Sequence, residues 1–109
     1  MFKKKTIAVV VPCYNEQKQI SDVIKTMPAF VDKIVVIDDK SSDKTSQIVE
    51  LLKIKNKKII LIKHLKNMGV GVAIASGYKW CRDNKIAVAA VMDGDGQMLA
   101  NDLLNILKP

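Results

Sequence analysis

Carboxylates gather at a few points in this sequence, each just after a short apolar run. Asp38 and Asp39 follow Ile34–Ile37 and lead into Lys40-Ser41-Ser42-Asp43. Asp93-Gly94-Asp95-Gly96-Gln97 follows Ala87–Met92, and Glu16 closes Pro12-Cys13-Tyr14-Asn15-Glu16 after Ile7–Val11. Carboxylates set close together repel, so a cation or a set of hydrogen-bond donors must compensate them. Mg²⁺ or Mn²⁺ is suited to this, because it takes one or two carboxylates and fills its shell with phosphate oxygens. Asp93 and Asp95 are the candidate metal ligands. Gly94 and Gly96 leave their turn open enough for a diphosphate to approach the backbone. Asp38 or Asp39 suits a base or a ribose hydroxyl, where a pair of acceptors is useful. Taken alone, an Asp-x-Asp with glycines is more often a solvated turn. The coincidence of acidic sites after three of the four apolar runs gives it weight.

The neighbouring residues fit supporting roles. Pro12 is expected to stop the first strand, Tyr14 offers a ring, Asn15 should cap the following helix, and Glu16 should sit in its first turn. Asn67-x-Gly69-x-Gly71 reads as a turn that caps a later helix. His64 reads as a surface residue without a role. Tyr78 and Trp80 read as packing residues rather than a sugar platform, and the lysines of the first helix as solvated. Rival motifs fail: a dinucleotide fingerprint would need glycine where Ile74 stands and should follow the first strand. A calcium loop starting at Asp93 would need glycine at Met98 and glutamate at Leu104. No GxxxxGK[ST] phosphate cradle is present.

These residues need elements to position them. Ile7–Val11, Ile34–Ile37, Ile59–Ile62 and Ala87–Met92 are continuous apolar runs that begin 25 to 28 residues apart. Continuous rather than alternating runs imply strands buried on both faces, as in a parallel sheet covered by helices. Between them, Ile20, Val23, Ile24 and Met27 follow helical spacing, with Pro28 expected to end the helix. Thr45, Ile48, Val49 and Leu52 repeat it behind Ser42 or Asp43 as N-cap. Val70, Ala73, Ile74, Gly77 and Cys81 give a third stripe, with small residues where helix and sheet could approach closely. Ala100, Leu103, Leu104 and Leu107 begin a fourth. The expected class is α/β, a Rossmann-like doubly wound parallel sheet. In such sheets ligands bind beyond the carboxyl ends of the strands, where strand order reverses.

Composition narrows the setting. The chain has 109 residues, room for one domain with one core, and a formal charge of +7 carried mostly by lysine. That field favours anionic ligands, although scattered lysines also simply keep a surface soluble. Nucleic-acid binding is not expected, since arginine clusters and interleaved aromatics are lacking. No segment approaches the roughly 18–20 apolar residues of a membrane helix. The apolar run after the N-terminal lysines is shorter than the roughly 7–15 residues of a signal-peptide core. Cys13 and Cys81 match no metal or redox spacing and read as reduced, partly buried thiols of a cytoplasmic protein.

PCYNE at 12–16, IDDKSSDKT at 37–45, NMGVGVAIASG at 67–77 and MDGDGQ at 92–97 occur in this order along nearly the whole chain. Together they resemble the motifs of family 2 glycosyltransferases, particularly the branch typified by dolichyl-phosphate mannose synthase. The resemblance implies that residues 1–109 are the nucleotide-sugar-binding N-terminal half of a glycosyltransferase A-type fold. It implies that Pro12, Tyr14, Glu16, Ile37 and Asp39 surround the base and ribose of a UDP- or GDP-sugar. Asp93 and Asp95, with Gly94 between them, would meet the metal and diphosphate, and Gln97 would lie close to them. The implied reaction is metal-dependent, inverts the anomeric centre, and passes the sugar to a polyprenyl phosphate or another hydroxyl acceptor. A carboxylate base beyond residue 109 would activate that acceptor.

Two departures follow from the same comparison. Lys40 stands where the family usually has glycine, and lysine resists positive φ. The acceptor-binding half is absent, so little transfer is expected from these residues alone, and uncovered apolar surface would let two copies pair. The parent enzyme would work at the cytoplasmic face of a membrane. A non-catalytic nucleotide-binding or assembly module of the same fold remains the alternative, with a phosphoacceptor domain as a weaker third.

Overall fold

The computed structural model describes residues 5–92. The apolar runs form strands β1 (Ile7–Cys13), β2 (Lys33–Asp38), β3 (Ile59–Lys63) and β4 (Val88–Val91). The helical stripes form α1 (Ile20–Lys25), α2 (Thr45–Lys55) and α3 (Val70–Asp83). Every ladder is parallel, and the strands lie in the order β3-β2-β1-β4. The chain therefore moves outward from β1 to β3 and then returns to the other side of β1. Strand order reverses between β1 and β4, and the carboxyl ends of those strands flank the crevice.

The period of two along each strand divides the core into two layers. Val9, Val11 and Cys13 of β1, with Ile34 and Val36 of β2, pack against Ile20, Val23 and Ile24 of α1 and Val49 of α2. Ala8, Val10, Val35 and Ile37 face the opposite way and pack against Ala73 and Cys81 of α3. A strand buried on both faces has no polar side to alternate, which is why its sequence reads as a continuous apolar run. The small residues of α3 seat it tightly. A Cβ placed on Gly77 would lie 2.3 Å from Val10 Cγ1, so no larger side chain fits there without displacing the helix or Val10. Tyr78 and Trp80 pack, partly buried, around the same cluster.

Several local expectations are corrected. Pro12 does not stop β1, which runs on to Cys13 with Pro12 beside Ile37. The Val10 carbonyl accepts the Met92 N–H, so the backbone polar groups of Val10, and of Pro12 two residues on, face the β4 side. β4 ends at Val91, so the missing N–H of Pro12 falls where the ladder has run out. Helix α1 ends at Lys25, before Pro28, and the Thr26 hydroxyl donates to the Asp22 carbonyl at the end. Val70 opens α3 exposed at 60 % rather than facing the sheet. The fourth helical stripe lies outside the described residues.

Cys13 and Cys81 are both free and buried, in the layers on opposite faces of the sheet. Burial pushes the Cys13 thiol up to about 12, helped by Asp38, Glu16, Asp43 and Asp39, and the Cys81 thiol up to about 11. Both stay protonated at neutral pH, and neither is a nucleophile.

Candidate functional site

The loops after β1 and β2 meet at the carboxyl edge because the two strands are neighbours, with Cys13 paired to Asp38. They are stitched by side chains bonding the other loop's backbone. The Asn15 N–H donates to Ser41 Oγ at 3.0 Å and the Glu16 N–H to Thr45 Oγ1 at 2.9 Å. In return, Asn15 Oδ1 accepts the N–H of Ser42 at 2.8 Å and of Asp43 at 3.3 Å, and Gln17 Oε1 accepts that of Lys44 at 3.0 Å. Asn15 thus ties down the β2–α2 loop rather than capping α1, and it does so with φ at 55°. Glu16 lies ahead of α1, and its carbonyl accepts the N–H groups of Gln19 and Ile20.

Neither Ser42 nor Asp43 is the N-cap of α2: that position is Lys44, which makes no side-chain cap bond, and Asp43 instead braces the turn just ahead of the helix. Helix α2 begins at Thr45 after Lys44, and Asp43 Oδ1 accepts the Thr45 N–H at 2.9 Å while Oδ2 accepts the Gln17 N–H. Burial works to raise the Asp43 pKa, but the bonds from Thr45 and Gln17 outweigh it and hold the carboxyl below its usual value. Lys40 adopts φ 64°, in the left-handed region that favours glycine. That conformation costs a lysine roughly 1–2 kcal/mol. A cleft of about 350 Å³ opens on the outer side of the stitch, lined by Asn15–Gln19 and Asp43. Asp38 and Asp39 do not line it, so it is not the crevice that strand order points to.

The two adjacent carboxylates are held very differently. Asp38 is buried, and one oxygen, Oδ1, takes both the N–H and the hydroxyl of Ser41. Asp39, also buried, reaches the other way. Its Oδ1 accepts His64 Nδ1–H at 2.8 Å and the Met68 N–H at 2.9 Å, and its Oδ2 accepts the Gly69 N–H at 2.8 Å. Burial alone would raise its pKa, but the Met68, His64 and Gly69 bonds and the pull of His64 prevail and hold it low. Gly69 meets Asp39 with φ 96°, a conformation that glycine adopts at no steric cost.

His64 is the residue that sequence reasoning missed. It lies one position past β3 with its side chain only 12 % exposed, not on the surface. Its N–H extends the ladder to the Asp38 carbonyl at 2.9 Å, which turns the ring inward. Nε2 then lies 2.9 Å from Ser76 Oγ on α3. The signal available was register: a histidine directly after β3, level with the aspartates that end β2. Ser76, His64 and Asp39 share the connectivity of an acyl-transfer triad, but Ser76 sits inside α3, where backbone N–H groups serve the helix. The helix backbone around Ser76 therefore offers no free N–H as an oxyanion donor.

Of the residues expected around a nucleotide, the structure brings Tyr14, Glu16, Asp38 and Asp39 to one edge, with Tyr14 47 % exposed. Pro12 is buried beneath them. The Ile37 side chain is fully buried in the α3 layer, so only its backbone is placed to line the crevice, and its carbonyl accepts the Cys13 thiol. Asp93, Gly94, Asp95 and Gln97 lie outside the described residues. Among the described residues no group of three or more ligating side chains forms a metal site.

A four-stranded parallel sheet wound in this order, with helices on both faces and carboxylates at the switch edge, is the N-terminal part of a glycosyltransferase A-type α/β fold. The mannosyltransferase PcManGT of Pyrobaculum calidifontis, solved with GDP-Man and Mn²⁺, shares it. The TM-score is 0.74 over 85 % of this chain and 28 % of that one, at 20 % identity. Residues 8–109 match the family described as Glycosyl transferase family 2, and the chain belongs to that family. It is 32 % identical to the UDP-N-acetylglucosamine--dolichyl-phosphate N-acetylglucosaminyltransferase of Methanococcus voltae, over 96 % of this chain and 47 % of that protein. It is 34 % identical to the human dolichyl-phosphate beta-glucosyltransferase, over 96 % of this chain and 37 % of that protein. The chain spans less than half the length of these curated relatives.

Proposed function

We propose that this chain is the donor-binding portion of a metal-dependent, inverting glycosyltransferase that takes a nucleoside diphosphate sugar. The observation that carries the reading is the convergence of two family motifs, PCYNE and IDDKSSDKT, on the edge where strand order reverses. Met92, bonded to the Val10 carbonyl at that edge, is the residue before Asp93 in sequence. In this reading Tyr14, Glu16 and Asp39, with the backbone at Pro12 and Ile37, surround the nucleoside. Asp93 and Asp95 hold Mg²⁺ or Mn²⁺, with Gly94 and Gln97 beside the sugar diphosphate. The ion would neutralise charge on the departing nucleoside diphosphate. The dolichyl-phosphate named for two relatives supports a polyprenyl phosphate as acceptor, with the whole enzyme working at the cytoplasmic face of a membrane. Among the described residues no helix is long and apolar enough to cross one. The acceptor and its activating base would be handled by residues beyond this chain.

Replacing Asp95 tests the metal assignment. Asp95→Ala should abolish Mn²⁺-dependent nucleotide binding while leaving the circular dichroism spectrum intact. Unchanged affinity in the folded variant would overturn the assignment.

A further inference from the structure

A carboxylate offers about four lone-pair positions. Among the described residues, donors fill three of those on Asp39: His64 Nδ1–H and the Met68 N–H on Oδ1, and the Gly69 N–H on Oδ2. The position left over is on Oδ2. Which oxygen keeps that spare capacity depends on the side-chain torsion of Asp39, and among the described residues His64 is the only side chain bonding to it. The two main-chain donors, both partly buried, come from the loop ahead of α3, whereas the imidazole is wedged between the end of β2 and α3.

The imidazole itself is fixed at both nitrogens. With Nδ1–H committed to Asp39, Nε2 accepts the Ser76 hydroxyl, which defines the neutral tautomer. If the ring gains a proton, Nε2–H donates to Ser76 Oγ, and the serine proton can turn to the carbonyl one helical turn back. The ring therefore keeps both partners in either protonation state.

We infer that His64 is a positioning residue of the donor site: it fixes the Asp39 carboxylate so that the open position on Oδ2 faces the nucleoside, and it anchors that orientation on α3 through Ser76. This rests on the donor-site reading above. It separates His64 from a residue that merely fills space, because only one of its two nitrogens bears on the ligand. Asparagine places an amide N–H close to where Nδ1–H lies, whereas glutamine reaches the position of Nε2. The two replacements thus divide the functions of the ring.

The test compares His64→Ala, His64→Asn and His64→Gln with the unaltered chain by calorimetric titration of UDP, GDP and inorganic diphosphate, each with Mn²⁺. His64→Ala should weaken the nucleotide that the unaltered chain binds by about tenfold, the size of one hydrogen bond to a charged group. Inorganic diphosphate, which lacks the nucleoside, should bind unchanged. His64→Asn should recover most of the loss and His64→Gln little of it. Equal affinities for the Asn and Gln variants would overturn the inference, even if the Ala variant fails to fold. An equal loss for nucleotide and inorganic diphosphate would also overturn it, as the mark of a merely structural role. If the unaltered chain binds no nucleotide, the donor-site reading falls and this inference falls with it.

Discussion

The same sheet edge carries two ties of opposite character. The β1–α1 and β2–α2 loops are joined by many bonds, mostly among exposed or half-buried residues with Thr45 alone of these partners buried, each made by a polar side chain to a backbone N–H. The end of β2 is joined to β3 and α3 through one buried carboxylate and one largely buried imidazole. A tie open to water and spread over many bonds loses little when one is cut, because water replaces the partner. A buried tie with a single hub leaves several donors unsatisfied at once. The edge is therefore redundant on the β1 side and dependent on Asp39 on the β3 side.

The contrast is easiest to break at the hub. Asp39→Ala should destabilise the chain by about 3 kcal/mol or more in urea unfolding, since it strands His64 and two backbone N–H groups at about 1–3 kcal/mol each. A loss below about 1 kcal/mol would erase the distinction between the ties. The hub also has a pH signature. The folded pKa of Asp39 is depressed, so its contribution is complete above the unfolded value near about 3.9 and is lost as pH falls through the folded one. Urea unfolding of Asp39→Asn should therefore show a shallower loss of stability below about pH 4 than the unaltered chain.

A substitution under α3 sharpens the same contrast from a distance. Gly77→Ala sets a methyl against Val10 and should cost about 1–3 kcal/mol by overpacking. By lifting α3 it should also loosen the Ser76–His64 bond while leaving the β1 stitch intact. Amide exchange would show this as faster exchange at Met68 and Gly69 with Ser42 unaffected. Asn15→Ala should cost less, about 1 kcal/mol, because its loop retains the bonds through Gln17 and Thr45. Lys40→Gly should have the smallest effect, a gain of at most about 1 kcal/mol in melting experiments. It relieves the positive φ but makes the unfolded chain more flexible.

The layered sheet was legible in the sequence because burial on both faces leaves uninterrupted β-branched runs such as Val9–Val11 and Val35–Ile37. The stripe of Ala73, Gly77 and Cys81 also announced a helix lying close to the sheet. Pro12 misled because a proline can remain in a parallel strand where its missing N–H falls past the end of the neighbouring ladder. Asn15 misled because capping was sought along the chain, whereas its partners lie 27 and 28 residues away across two strands. His64 was hidden for the same reason. A polar residue after a strand looks exposed until the register shows an aspartate beside it and a serine above it. Lys40 was the reverse case, where a departure from the family pattern marked a backbone position that the fold does hold at positive φ.

The proposed role of this edge is to bind a nucleoside diphosphate sugar through a divalent ion. Calorimetric titration of UDP, GDP, UDP-glucose and GDP-mannose, each with and without Mn²⁺, tests it most directly. Saturable, Mn²⁺-dependent binding of the ligands that share one base is expected. Absence of binding by all four in a protein shown to be folded would contradict it.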